Sequence, residues 1–429
     1  MNQTPSSTSK IRGQLHRRLF GTRHTGHTGG LDILRAIGPG LLVTVGFIDP
    51  GNWASNMAAG SQFGYSLLWV VTLSTIMLTV LQHNAAHLGI VTGECLAESV
   101  TRHMPRFLSR FVLLTALAAS VATVMAEILG GAIALQMLLG LPLRAGAVVV
   151  AAVSLVMLLT NSYMRVERWI IGFVSLIGLS FLFEIALVHV DWASAAVGWV
   201  APTVPAGSPA IIVSVLGAVV MPHNLFLHSE IIQSQCINEC GDDVIVKRLR
   251  SEFVDTLFSM AVGWAINSAM VLLAASVFWN AGTPVTDLAQ AACTLEPMLG
   301  AASSTVFALA LLFAGVSSSI TAGMAAGTIS AGLAGEPYDV RDRHSSIGIV
   351  CTFLLATASI FFVQDAFQGL VWSQVLLSLQ LPITVFVLIW LTSSPRVMGK
   401  YANGAALKAT LMVIALIVTV LNAVLLLGA

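Results

Sequence analysis

Apolar segments long enough to cross a lipid bilayer dominate this chain. Of its 429 residues, 56% are hydrophobic and only 9% are charged, whereas a soluble domain carries roughly 25% charged residues. Eleven segments reach the length needed to cross about 30 Å of hydrocarbon. They lie at residues 37–61, 66–91, 111–140, 145–162, 169–190, 209–236, 253–279, 303–333, 345–363, 370–392 and 406–428. The sequence therefore predicts an all-α polytopic membrane protein with eleven transmembrane helices.

The basic residues predict how these helices are oriented. Residues 1–36 are polar and indicate a disordered leader. The leader and the loops near 102–110, 165–168, 247–250, 341–343 and 396–408 hold every Lys and Arg except Arg144. The long connections 191–208 and 280–302 hold none. By the positive-inside rule, we expect a cytoplasmic leader and an external C-terminal Ala429, in a plasma membrane or a bacterial inner membrane.

Two of the apolar segments are interrupted by the same frame of a Pro followed two residues later by an Asn. The first frame is Asp49-Pro50-Gly51-Asn52 and the second is Met221-Pro222-His223-Asn224. A proline inside a helix removes a backbone donor and clashes with the preceding turn, so both helices should break there. A plain kink between packed helices is the alternative. Asp49 weighs against it, because a charge at mid-membrane costs at least about 2.5–3.5 kcal/mol and marks a functional site.

The positions of the frames predict an internal repeat. Five spans begin with the first frame, five more begin with the second, and one is left over. Interrupted segments at matching places in two halves are typical of inverted-repeat transporters, whose substrates bind at the breaks. We expect a first repeat over 37–190, a second over 209–392, and an eleventh helix at 406–428.

The residues of the two frames offer a mixed set of metal ligands. Asp49 supplies a carboxylate, Asn52 an amide oxygen and Met221 a thioether. The carbonyls of Gly46 and Ala218 lie four residues before a proline and so lack their helical donor. Sites for Mg²⁺ or Ca²⁺ are built from oxygen alone, whereas a thioether favours softer transition metals. The alternative for Met221 is gap-filling in an apolar core.

These and other stretches resemble the Nramp family of divalent-metal transporters. The matching segments are GFIDPGNWASNMAAGSQFGYSLLWV (46–70), HLGIVTGECLAES (87–99), EILGGAIAL (127–135), GAVVMPHNLFLHSEIIQSQ (217–235) and SQVLLSLQLPI (373–383). The resemblance implies a LeuT-like fold and import of Mn²⁺ or Fe²⁺, commonly with protons. It implies that the five groups of the preceding paragraph are metal ligands. It also suggests Gln374 as a ligand of the occluded state, in preference to Gln380.

The chain departs from the family at positions connected with the proton. Family members usually carry an Asp three residues before the acid of the third span, but here the acid is Glu127 and residue 124 is Val. Val350 stands where the ninth span usually has an Arg, and Val316 replaces a Gln in the eighth. An unpaired buried charge costs several kcal/mol, so losing the acid and the base together is consistent with removal of an ion pair.

Three titratable residues remain as candidates for a proton pathway, namely Glu127, His223 and His228. Histidine changes charge near neutral pH. His223 has an alternative role as a hydrogen-bonding post that holds the break open, and His228 could face another side. We therefore hypothesise that metal transport is retained while proton coupling is weakened or rerouted.

Two other functions compete with this interpretation. One is an Nramp-related transporter of Mg²⁺ or another hard cation, against which the sulfur of Met221 argues. The other is a metal sensor without flux or an intramembrane enzyme, although paired carboxylates and an HExxH-like helix are absent from the sequence. We expect no enzyme activity, no resident cofactor, no nucleic-acid partner and no obligate protein partner. The expected partners are lipid, the divalent metal substrate and, where coupling persists, protons.

Overall fold

All the regular structure that could be described is helical. The computed structural model describes residues 49–160, 178, 181, 183, 185–186, 188–295 and 303–427. The predicted leader, Gly46 with the first half of the first span, most of the fifth span and Ala429 lie outside these residues.

Thirteen α-helices of eight or more residues run through the described ranges. They are α1 (Pro50–Phe63), α2 (Leu68–Thr92), α3 (Leu96–His103), α4 (Arg106–Leu139), α5 (Leu143–Leu159), α6 (Trp192–Val200), α7 (Pro209–Val220), α8 (Pro222–Gln233), α9 (Asp242–Ala274), α10 (Ser303–Ala334), α11 (Arg343–Ile360), α12 (Ala366–Thr392) and α13 (Ala405–Leu427). The other helical pieces are a 3₁₀ helix at Leu288–Leu295, a π turn at Ala275–Trp279, 3₁₀ turns at Ile237–Glu239 and Gly399–Tyr401, and one α turn at Pro395–Met398. Eight spans of the described residues are long and apolar enough to cross a membrane, with α7 and α8 together forming one. Helix α5 is apolar but shorter.

Several predicted boundaries are wrong because apolar windows miss helical turns that extend beyond the bilayer. The predicted loop 247–250 is helical, since α9 begins at Asp242. Two acidic residues in the first turn of α9 favour this early start, because a helix N-terminus attracts negative charge. Likewise α4 begins at Arg106 rather than at residue 111. The loop 396–408 and the connection 280–302 also contain helical turns.

The connection 191–208 contains a capped helix that the sequence analysis missed. Asp191 caps α6, and its Oδ1 accepts hydrogen bonds from the backbone N–H groups of Ala193 and Ser194 at 3.1 and 3.2 Å. The Ser194 hydroxyl also donates to Asp191 Oδ2 at 2.6 Å. These hydrogen bonds, chiefly those from Ser194, lower the pKa of Asp191. Asx-type capping therefore orders this helix outside the membrane spans.

Two close helix contacts position the centre of the bundle. Helix α10 packs along α4 at Gly315, where an added Cβ would lie 2.7 Å from the carbonyl oxygen of Glu127. Helix α7 packs on α12 at Gly217, where an added Cβ would lie 1.9 Å from the carbonyl oxygen of Gln374. Small residues at such crossings let backbones approach closely, which is how helices associate in lipid. Helix α12 packs against both α4 and α7, and it also contacts α1 and α8.

Candidate metal site

Asp49 lies at the start of α1 with half of its carboxylate unused. Its Oδ1 accepts a hydrogen bond from the Asn52 backbone N–H at 2.7 Å, and Pro50 occupies the first helical turn. The side chain is 1% exposed, and Oδ2 has no hydrogen-bond partner among the described residues. A buried carboxylate oxygen is costly unless it is paired or ligates a metal. The cap therefore fixes one oxygen and leaves the other available for a ligand.

Met221 separates α7 from α8 at the second frame, as the proline predicts. Its backbone has φ −6° and ψ 103°, outside the helical range. Because residue 222 is Pro, the carbonyl of Ala218 has no i+4 donor. The Met221 side chain is buried, and Asn224 Nδ2 lies 3.3 Å from its Sδ. The second frame thus contributes a free carbonyl and a buried sulfur.

Gln374 on α12 connects the two frames. An added Cβ on Gly51 would lie 1.9 Å from Gln374 Nε2 and 3.3 Å from Asp49 Oδ1, so both groups surround Gly51. One turn further along α12, Leu377 forms a small buried apolar cluster with Met221 and Ala122 of α4. Gln374 is fully buried, its Nε2 donates to Ser373 Oγ at 3.1 Å, and its Oε1 has no partner among the described residues. A second unused oxygen therefore lies beside Asp49.

Hydrogen bonds fix α1 against the neighbouring helices. Ser55 on α1 lies 2.7 Å from Ser214 on α7 between hydroxyl oxygens, and Ser214 donates to the carbonyl of Val371 on α12 at 3.1 Å. Asn56 Nδ2 donates to the side-chain oxygen of Asn52 at 3.0 Å and to that of Asn267 on α9 at 2.8 Å. The Asn56 amide thus orients the oxygen of Asn52, and the candidate ligands lie on well-anchored elements.

Glu127 lies on α4 between contacts with both frames. One turn before it, Thr123 Oγ1 lies 3.1 Å from His223 Nδ1. Three residues after it, an added Cβ on Gly130 would lie 2.1 Å from Cβ of Pro50. Glu127 is fully buried, neither carboxylate oxygen has a partner among the described residues, and Asp49 is its electrostatic neighbour. Two buried carboxyl groups that repel each other when both are ionised favour the retention of a proton by one of them.

His223 and His228 face different helices. Whereas His223 meets Thr123 on α4, His228 Nδ1 lies 3.3 Å from Gln82 Nε2 on α2. On its other side, His228 Nε2 lies 3.4 Å from Glu252 Oε1 on α9. The structure therefore does not bring His228 together with Glu127.

Glu252 is a buried polar residue that the sequence analysis missed. It is 1% exposed, accepts a hydrogen bond from Thr256 Oγ1 at 2.6 Å, and hydrogen bonds His83 Nδ1. Neither His83 nor Glu252 belongs to a motif, and they lie 169 residues apart. The one available signal was an acid in an apolar helix adjoining the basic stretch 247–250.

Three valines occupy the positions at which the sequence lacks the acid, the base and the amide connected with proton transport. Val124 is fully buried on α4. Val316 on α10 packs against the main hydrophobic core, and Val350 on α11 is half-buried. Both α10 and α11 pack against α4.

The family model for natural resistance-associated macrophage protein-like (Nramp) proteins matches residues 40–428. The chain belongs to the Nramp family. It is 34% identical over 397 residues to the divalent metal cation transporter MntH of Caldanaerobacter subterraneus, covering 92% of this chain and 93% of that protein. It is 37% identical over 403 residues to the MntH protein of Brucella suis, covering 91% and 87%. Both relatives support the resemblance drawn from the two frames.

Solved structures confirm the fold of this Nramp chain. A manganese transporter of Eremococcus coleocola superposes with a TM-score of 0.77 at 26% identity, covering 93% of this chain and 87% of that one. A nucleobase-cation-symport-1 family transporter superposes with a TM-score of 0.60 at 15% identity, covering 89% and 90%. That second likeness concerns the fold alone and confirms the predicted LeuT-like architecture. The count of eleven helices and the limits of the two repeats stay predictions.

Proposed function

We propose that this Nramp-family chain is a secondary transporter that imports divalent transition-metal ions of the Mn²⁺/Fe²⁺ class by alternating access. The observation that carries the proposal is the pair of unused buried oxygens, Asp49 Oδ2 and Gln374 Oε1, on two side chains that both lie against Gly51. The names of the relatives, divalent metal cation transporters and a manganese transporter, support the same substrate class.

The ligand chemistry favours a soft divalent ion. Asp49 brings one negative charge, Asn52, Ala218, Gly46 and Gln374 bring neutral oxygens, and Met221 brings sulfur. A thioether adds little for Mg²⁺ or Ca²⁺ but stabilises softer metals. One carboxylate with one divalent ion leaves a net positive site, which can release its cargo.

The two frames also provide the means of alternating access. Since Met221 interrupts the helical backbone, α8 can tilt without moving α7. Helix α1 likewise begins at Pro50, directly after its cap Asp49. Ligands divided between half-helices let the metal site open to one side at a time. Import through a plasma or bacterial inner membrane is the direction that the family resemblance implies.

Proton coupling is weakened or rerouted in this proposal. Val124, Val316 and Val350 cannot exchange protons, so the usual acid and base near α4 are missing. Glu127 and His223 remain beside the metal site, and His228 remains on the other face of α8. These three residues are therefore the proposed carriers of protons near the metal site.

Asp49→Asn tests the proposal in proteoliposomes loaded with a Mn²⁺-quenched dye. Asp365→Asn is the matched control. Asp365 caps α12 by accepting a hydrogen bond from the Gln368 N–H at 3.0 Å, just as Asp49 caps α1, but Asp365 is exposed. We expect Asp49→Asn to lower Mn²⁺ uptake at least about tenfold, the scale of one lost charged ligand, and Asp365→Asn to leave it unchanged. Equal uptake by both variants contradicts the proposal, as does Mn²⁺ binding without flux, which favours a sensor.

Competition distinguishes the hard-cation alternative. Cd²⁺ should compete with Mn²⁺ for uptake, and a large excess of Mg²⁺ or Ca²⁺ should not. Strong competition by Mg²⁺ indicates an Nramp-related magnesium transporter instead.

A further inference from the structure

A buried chain of titratable side chains joins α8 to α2 through α9, away from the metal ligands. It consists of His228, Glu252 and His83. Glu252 lies between the two imidazoles, with Oε1 towards His228 Nε2 and Oε2 bonded to His83 Nδ1. His228 and Glu252 are almost fully buried, whereas the side chain of His83 is 22% exposed. The chain thus runs from the interior of the bundle towards its edge.

The neighbours of His228 suit both of its charge states. The Gln82 amide beside Nδ1 can donate to neutral His228, which then holds its proton on Nε2, facing Glu252. Gln82 Oε1 is buried and has no partner among the described residues. Rotation of that amide by about 180° would place the oxygen where it accepts from a protonated Nδ1. Gaining a proton therefore leaves neither ring nitrogen without a partner.

The far end of the chain leads to the face that we predict to be cytoplasmic. His83 stacks on His87 with ring centroids 6.5 Å apart and 14° between planes. His87 lies next to Asn403, in the connection before α13. Arg248 and Asp255, each about one turn from Glu252 on α9, are further charged groups of this region. Arg248 interacts electrostatically with both carboxylates.

We propose that His228, Glu252 and His83 form a proton-transfer chain that releases protons on the side of the membrane where the metal is delivered. His228, protonated on both ring nitrogens, passes its Nε2 proton to the ionised carboxylate of Glu252. The neutral carboxyl group reorients and passes that proton to His83 Nδ1, and His83, then protonated on both nitrogens, loses its Nε2 proton to solvent. Glu252 is ionised again after one proton has passed, and both imidazoles are left with a proton on Nδ1, which must return to Nε2 before the next transfer. The inference rests on the proposed metal transport and identifies how its coupling is rerouted.

Simultaneous measurement of Mn²⁺ entry and lumenal pH in proteoliposomes tests the chain. Glu252→Gln keeps the size and hydrogen bonding of the residue but cannot carry the proton. We expect proton entry per Mn²⁺ to fall at least about tenfold, the lower range for loss of a positioned acid–base group, while Mn²⁺ entry down a steep gradient persists. His83→Gln, at the partly exposed end, should act in the same direction and guards against a folding defect in the first variant.

Glu336→Gln is the matched control. Glu336 pairs with His344 at 2.8 Å, but both side chains are exposed at the same predicted face. Both fluxes should be unchanged in this variant.

Three results overturn the inference without touching metal transport. The first is wild-type Mn²⁺ entry without acidification. The second is unchanged acidification in both Glu252→Gln and His83→Gln. The third is equal loss of Mn²⁺ entry and proton entry in these variants, which indicates that the residues only stabilise the structure. Absence of Mn²⁺ entry in the wild type contradicts the proposed function and the inference together.

Discussion

The amide of Gln374 lies so close to Gly51 that a single methyl group on residue 51 would overlap it, with Cβ 1.9 Å from Nε2. This contact places the middle of α12 against the first frame, and Leu377 in the adjoining turn of α12 shares a buried apolar cluster with Met221 of the second. The lack of a side chain on Gly51 permits this approach. The two frames therefore adjoin the same stretch of α12.

Gly51→Ala should strongly reduce Mn²⁺ uptake. The new Cβ must displace the fully buried Gln374 amide from its position beside Asp49. We expect uptake to fall at least about tenfold in proteoliposomes, because misplacement of ligands by about 1 Å has effects of that order or larger.

Two variants control for this result. Gly404→Ala adds a methyl group where no atom lies within 4 Å and should transport normally. Adding Gln374→Ala to Gly51→Ala removes the overlap, so the double variant should transport as Gln374→Ala does. Normal uptake by Gly51→Ala alone contradicts the close approach.

Met221→Ala should weaken discrimination against hard ions. The substitution removes the one sulfur among the proposed ligands and leaves an oxygen-only set, which Ca²⁺ and Mg²⁺ prefer. We expect Ca²⁺ to inhibit Mn²⁺ uptake more strongly and Cd²⁺ less strongly than in the wild type. Unchanged exclusion of Ca²⁺ and Mg²⁺ would show that the sulfur has no role in selectivity.

Glu127→Gln should separate metal binding from the pH dependence of uptake. The amide retains the volume of Glu127, whose carboxylate has no partner among the described residues, so the fold should persist. We expect equilibrium Mn²⁺ binding within about twofold of the wild type, a change worth only about 0.4 kcal/mol. Uptake measured between acid and neutral pH should vary less than in the wild type. An identical pH profile would remove Glu127 from the proton pathway.

Asp191→Ala should loosen α6 and no other helix. Its carboxylate accepts two backbone N–H bonds, and these bonds with the Ser194 hydroxyl lower its pKa below the usual value of 3.8. A depressed carboxyl pKa means that the cap is complete above the usual pKa and lost as the pH falls through the lower folded value. Hydrogen exchange of α6 amides, corrected for intrinsic rates, should thus be alike at pH 5 and 7 in the wild type. Exchange of these amides should be faster in Asp191→Ala at both pH values. Equal exchange rates in the variant and the wild type would contradict the capping role of Asp191.

Local chemistry made the frames predictable from sequence. A proline such as Pro222 breaks a helix because of its own ring and its missing N–H, whatever surrounds it. An Asp directly before a Pro is a typical helix start, because the Asp side chain accepts from the backbone N–H three residues later and the Pro fits the first turn. The cluster around Glu252 could not be predicted, because His83, His228 and Glu252 come from three helices joined only by tertiary packing. The early start of α9 was not predicted for another reason. Its first turns are polar, and the hydropathy pattern indicates only the part of a helix that lies within the bilayer.

X-ray absorption at the cadmium edge of the loaded, purified protein tests the central claim most directly. We predict a coordination shell of oxygens with one sulfur, and loss of that sulfur in Met221→Ala while Cys95→Ser, a control for the buried thiol, keeps it. Asp49→Asn should lower occupancy without removing the sulfur. An oxygen-only shell in the wild type, or a sulfur that persists in Met221→Ala, would contradict a soft-metal site shared between the two frames.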